Sequence, residues 1–303
     1  MLRIRVGVGE LVTNVKEVQE HFKMTDGFDL FCRYWEAVGK SKKSVVCIHG
    51  IGGHSEVFRV AGQNLAEDGI EVYALDLRGF GNSKEKDLPR GYTSDFNRHL
   101  QDVDEVVGFV RKRHAKNKVY MFGWSLGVLY TLWYSAHHPN FLDGIIIAAP
   151  YWVGLMPRRL RFEIPSILHS APTASYEPCK NWSHDFKESE EGKIILQDSL
   201  FATKWSWRWL DGVKRVLSDE ALQNASQTEK PTLILLGEKD DISIRNGAKQ
   251  LLEILATKDK SIQSFPDADH FFYDALFFKT TTKHDKAKRK QVTNMVKNWL
   301  NNH

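Results

Sequence analysis

At 303 residues, 42% of them hydrophobic and 26% charged, the chain has the material for one large α/β domain or two small ones and is too apolar to stay disordered. Its formal charge of +4 is mild for this length. The basic residues are scattered apart from the run Lys279–Lys290, and with no aromatic-studded basic patch nucleic acid is not an expected partner.

The opening decapeptide Met1–Glu10 has no continuous apolar core, and no later stretch approaches membrane-spanning length. Three cysteines (Cys32, Cys47, Cys179) are an odd number without framework spacing, which fits a reducing setting, so the expectation is a soluble, cytoplasmic protein. After the turn Thr25-Asp-Gly27, residues Phe28–Trp35 alternate with period two and predict an antiparallel opening hairpin. Continuous apolar runs follow at Val45–Ile48, Val72–Leu75, Val119–Phe122, Gly144–Ala148 and Thr232–Leu236. Such runs fit strands covered on both faces, and Cys47 sits inside one as a small core residue. Helical patterns at Val57–Asp68, Asp95–Lys112, Leu126–His137 and Ala248–Lys258 lie between them, the order of a doubly wound, mostly parallel sheet.

From Tyr151 to Lys230 the rhythm breaks. This stretch has no strand run but holds five tryptophans (Trp152, Trp182, Trp205, Trp207, Trp209) and four prolines (Pro157, Pro165, Pro172, Pro178). It is too long for an ordinary loop and too aromatic to remain solvated, so it predicts a helical insertion over one edge of the sheet. The expected organisation is a core domain formed by 1–150 and 231–303, with a cap at 151–230. The amphipathic segment Val292–Leu300 closes the chain as a helix whose solvated face continues the basic run.

The pentapeptide Gly123-Trp-Ser-Leu-Gly127 directly follows a buried run and opens a helix. A serine at the apex of such a turn is strained, and glycines two places to either side let neighbouring backbone approach. Ser125 is therefore the candidate nucleophile, and the N–H of Leu126, at a helix start, is one candidate oxyanion donor. A serine hydroxyl needs a base, and the base needs an orienting acid, in the chain order serine, acid, histidine. Asp240 and Asp241 both follow the Thr232–Leu236 run; Asp240 is favoured, and Asp143 starts its strand and falls at the opposite edge. His270 follows the last run, Ser261–Phe265, on an Asp- and Pro-rich loop, the place a general base requires. The second oxyanion donor is expected from His49-Gly-Ile-Gly-Gly-His54, where Ile51 supplies the N–H, Gly50 lets substrate approach and His49 braces the loop. His54 could touch substrate or solvent. Asp76 and Arg78, in Asp76–Ser83, are expected to tie loops together.

These motifs, in this order and spacing, resemble the α/β-hydrolase superfamily, and more closely its monoacylglycerol lipase, lysophospholipase and serine-aminopeptidase-like branch, over roughly residues 20–300. The resemblance implies an eight-stranded sheet with the cap inserted after the sixth strand, and hydrolysis of carboxylic esters with neither cofactor nor metal. Trp124 and Leu126 stand where that branch often carries histidine and methionine. The implied mechanism is acyl transfer to Ser125 with His270 as base, Asp240 behind it, and hydrolysis of the acyl-enzyme. The expected substrate is a small ester with an apolar acyl or aryl group, met by Gly50, Trp124, Tyr151, Trp152, Trp205 and Trp209, although the cap tryptophans could instead form the cap's own core. Alternatives on the same triad are thioester cleavage, acyl transfer and amide hydrolysis. An epoxide or haloalkane hydrolase would need a carboxylate at 125. A silent receptor would be expected to carry a broken triad.

Overall fold

The computed structural model describes residues 14–150, 175–177, 183–272 and 286–303. Strands β1 (Lys16–Lys23) and β2 (Asp29–Glu36) form the expected antiparallel hairpin, paired from Lys16 with Glu36 to Lys23 with Asp29. Its turn closes through Met24 N–H to Phe28 O at 2.8 Å and Gly27 N–H to Met24 O at 2.8 Å. Strands β3 (Lys43–Ile48), β4 (Glu71–Leu75), β5 (Lys118–Trp124), β6 (Gly144–Ala148), β9 (Thr232–Gly237) and β10 (Lys260–Phe265) complete an eight-stranded sheet. The order is β1-β2-β4-β3-β5-β6-β9-β10; β1 and β2 are antiparallel to their neighbours and all later pairs are parallel. This is the α/β-hydrolase fold.

Both faces of the sheet are covered, which is why its central strands read as unbroken apolar runs. Alternate residues divide between two cores. Val46, Ile48, Tyr73, Met121, Ile145 and Ile234 face helices α2 (Asn97–Arg113) and α3 (Gly127–His137). Val45, Cys47, Tyr120, Phe122, Ile146 and Leu233 face α1 (Arg59–Glu67) and the closing helix α9 (Lys286–Asn302). The expected helix at Val57 begins as a 3₁₀ turn, Ser55–Phe58, before α1.

Between β6 and β9 the described residues hold helices α4 (His184–Glu188), α5 (Glu190–Gln197), α6 (Trp207–Gly212), a π turn (Val213–Ser218) and α7 (Ala221–Gln227). They also hold strands that the sequence pattern did not signal: β7 (Ser175–Tyr176) pairs with β8 (Trp205–Ser206), and two residues are too few to show a period. Helix α8 spans Ile242–Ile254, earlier than the expected 248–258. It starts with Arg245 N–H on Asp241 O at 3.0 Å, so Ile244, Asn246 and Gly247, poor helix formers, are held by position rather than propensity.

Candidate active site

The ladder between β5 and β6 runs one step past the strand, with Ser125 N–H on Ala148 O at 2.9 Å. There the chain reverses: Ser125 has φ +54°, a left-handed conformation that costs a non-glycine residue about 1–3 kcal/mol. Helix α3 follows at once, with Val128 N–H on Ser125 O at 3.1 Å. The flanking glycines make this elbow possible. A Cβ on Gly127 would strike the carbonyl oxygen of Ile48 at the end of β3, and one on Gly123 would meet Gly127 O at 2.6 Å. Ser125 is 4% exposed, and Leu126 follows it as the N-terminal cap of α3, in the turn whose N–H groups lack partners inside the helix.

The loop after β9 lies against the loop after β10 through Glu238 N–H on Phe265 O at 3.1 Å and Lys239 N–H on Ala268 O at 2.9 Å. This brings His270 Nδ1 to 2.9 Å from Asp240 Oδ2. The other carboxylate oxygen of Asp240 accepts the Asp241 N–H at 2.7 Å, so of the two candidate acids Asp240 meets the imidazole, while the Asp241 side chain is exposed. Asp240 is buried, with its side chain 4% exposed against 26% for His270. A carboxylate can only accept, so Nδ1 carries the proton and Nε2 is left as the basic nitrogen. Sequence reasoning missed a further bond: the Trp124 indole N–H donates to the His270 carbonyl at 3.0 Å, with the two rings 5.3 Å apart. The residue before the serine thus holds the loop that bears the histidine. Its departure from the branch's usual histidine was the available signal.

The end of β3 delivers a third loop to the same place. A Cβ on Gly50 would lie 2.9 Å from the Trp124 ring and 3.0 Å from Ser125 Cβ, so this backbone passes directly beside the serine. His49 is buried; its Nδ1 lies 2.7 Å from Gly50 O and its Nε2 accepts Leu77 N–H at 3.0 Å. Acceptance at Nε2 places the proton on Nδ1, which donates to Gly50 O. Burial lowers the His49 pKa to about 4, keeping the ring neutral in this bridging role. Asp76 and Arg78 tie loops as expected. Asp76 accepts Ser55 N–H at 2.6 Å and Asn82 N–H at 2.7 Å, and Arg78 forks onto Asp102 at 2.7 and 2.8 Å. Burial raises the pKa of Asp102, and the Arg78 guanidinium opposes that rise.

Of the two fates left open for His54, contact with solvent is not the one it meets. It is buried, and its Nε2 lies 2.9 Å from Asp198 Oδ2, beyond the end of α5. Of the aromatic residues expected around a pocket, Tyr151 and Trp152 lie outside the described residues. Trp209 is fully buried, 5.0 Å from the Phe80 ring and 6.0 Å from that of Trp205, whose N–H donates to Ala202 O at 2.9 Å. A groove of about 600 Å³ between β1 and α2, lined by residues including Phe22, Phe109 and Arg113, shares no residue with this site. Among the described residues no cluster of three or more His, Cys, Asp or Glu side chains could hold a metal ion, and no helix is long and apolar enough to cross a membrane.

The sequence profile of the family described as serine aminopeptidase, S33, matches residues 39–273, which include every residue of this site. The chain belongs to this family. It is an α/β-hydrolase of the monoacylglycerol-lipase-like branch. Human monoglyceride lipase is 26% identical over 266 residues, covering 84% of each chain. An uncharacterised Escherichia coli protein, YnbC, is 34% identical over 266 residues, 85% of this chain and 44% of its own. A soluble variant of Saccharomyces cerevisiae monoglyceride lipase, solved with a substrate analogue, superposes with a TM-score of 0.72 at 20% identity over 97% of this chain and 98% of its own.

Proposed function

We propose that this protein is a serine hydrolase of small carboxylic esters, working through Ser125, His270 and Asp240. The observation that carries the reading is the Asp240–His270 pair at 2.9 Å, on loops beside a buried serine held at φ +54°. His270 Nε2 takes the Ser125 proton as Oγ attacks the ester carbonyl, and the Asp240 carboxylate stabilises the imidazolium that forms. The N–H groups of Leu126 and Ile51 receive the oxyanion. Protonation by His270 releases the alcohol, and water then cleaves the acyl-enzyme by the same steps. Gly50 and Trp124 form the surface against which the carbonyl rests. In the proposed cap, residues 151–230, Tyr151 and Trp152 are the proposed contacts of the acyl or aryl group, while Trp205 and Trp209 pack against each other.

The relatives' names favour a monoacylglycerol-like substrate, and the family description favours an amide. A panel of monoacylglycerols, p-nitrophenyl esters of graded acyl length and aminoacyl arylamides distinguishes these. The proposal expects ester turnover that vanishes in Ser125→Ala. Turnover confined to the arylamides would replace it with the peptidase reading.

A further inference from the structure

The oxyanion loop carries few bonds of its own. Gly53 N–H closes on Gly50 O at 3.2 Å, and His49 fixes the inner end. The outer side is held by Asp76 on Ser55 N–H at 2.6 Å and by residues from the long insertion between β6 and β9. Ala202 N–H donates to Gly52 O at 2.8 Å, and His54 Nε2 meets Asp198 Oδ2 at 2.9 Å. Gly52, at φ +72°, lies so close to the insertion that a Cβ there would fall 2.7 Å from the Phe201 ring and 2.8 Å from Ala202 O. Asp198 is itself anchored: its N–H reaches Ile194 O at 3.1 Å, and its Oδ1 accepts Leu200 N–H at 2.9 Å. One carboxylate therefore joins the 198–202 segment to His54, three residues past Ile51.

We infer that the 198–202 segment, through Asp198 on His54 and Ala202 on Gly52, positions the Ile51 N–H for the developing oxyanion, so that the oxyanion site is complete only with the insertion seated on the core. This rests on the ester-hydrolase reading and on Ile51 as donor. A donor must sit within about 3 Å of the oxyanion, and displacement by about 1 Å can cost on the order of a hundredfold in rate. The donor lies on the Gly50–Ile51 peptide, and the insertion bonds the Gly52 carbonyl two peptides on, so a small shift of 198–202 reaches the donor through the backbone alone. Asp198 and His54 are positioning residues in this account. They touch the loop and not the substrate.

The test uses the full chain, with His54→Ala, Asp198→Ala, their double variant, Asp198→Asn and Lys193→Ala, the last on α5 with its side chain half exposed. Two quantities are read: steady-state hydrolysis of p-nitrophenyl butyrate, and inhibition by an alkyl trifluoromethyl ketone, whose adduct with a serine places an oxyanion in the same site. Asp198→Ala should lower kcat and inhibitor affinity together by about ten- to a hundredfold, with KM moving less than about threefold. The double variant should be little worse than either single variant, because both remove one contact. Asp198→Asn should recover most of the loss, and Lys193→Ala should match the wild type. If Asp198→Ala does not fold, Phe201→Ala carries the same expectation. Folded variants with wild-type kcat and inhibitor affinity would overturn the inference, as would losses that multiply in the double variant. A wild-type protein that neither hydrolyses the ester nor binds the ketone would overturn the ester-hydrolase reading, and this inference with it.

Discussion

Acidification below pH 6.5 should weaken the folded state through His49, by an amount set by its burial. The buried ring has a pKa of about 4, whereas an unfolded chain returns it to about 6.5. Between those values the unfolded chain binds a proton that the folded one refuses. The contribution is therefore intact above pH 6.5, is lost progressively as the pH falls, and levels off below about 4. Near pH 5.25 the difference is about 0.9 of a proton, a slope of about 1.2 kcal/mol per pH unit that accumulates to roughly 3 kcal/mol over the window. The physical origin is local: protonating Nε2 would set it as a donor against the Leu77 N–H it now accepts. Urea unfolding followed by tryptophan fluorescence, at half-unit steps from pH 5 to 7, compares wild type with His49→Gln. The glutamine variant should start less stable but lose stability more gently on acidification, by about 1.2 kcal/mol per pH unit around pH 5.25. The buried His99, whose pKa is lowered to about 3 first by burial and then by Arg78, is present in both proteins, so those two causes act alike in each. Parallel stability lines for the two proteins would refute the reasoning.

Gly127→Ala places a methyl group against the Ile48 carbonyl; it should cost about 1–3 kcal/mol in unfolding free energy and at least about a hundredfold in kcat/KM. Asp240→Asn should lower kcat by about 10⁴-fold, whereas Asp241→Asn should stay within about twofold, measured on the same ester. Trp124→Phe deletes the N–H that holds the His270 carbonyl; kcat should fall about tenfold while the ranking of acyl chain lengths is kept. A changed ranking with unchanged kcat would make Trp124 a wall of the acyl-chain pocket and not a brace for the His270 loop.

The parallel sheet was legible in the sequence because burial on both faces leaves unbroken apolar runs, and α/β crossovers space them regularly. Ser125 and Asp240 were legible as candidates for a related reason: each follows such a run, His270 follows the half-polar edge strand β10, and strand ends in one parallel sheet share one rim. The choice between Asp240 and Asp241 needed coordinates, since neighbours in a loop differ only in where the backbone aims them. Bonds such as Trp124 to the His270 carbonyl, or His54 to Asp198 across 144 residues, leave no periodic trace. One ends on a backbone atom that every residue has, and the other joins two polar groups whose burial no pattern announces. The start of α8 was obscured in the same way, because an isoleucine, an asparagine and a glycine entered a helix fixed by its place after Asp241.

The central claim is that Ser125 is an activated nucleophile served by His270. Treating the folded protein with a fluorophosphonate and locating the adduct by peptide mass spectrometry tests this most directly. The account predicts one adduct, on Ser125, formed rapidly in wild type and lost in folded His270→Ala. No adduct on folded wild type, or equal labelling with and without the imidazole, would contradict it.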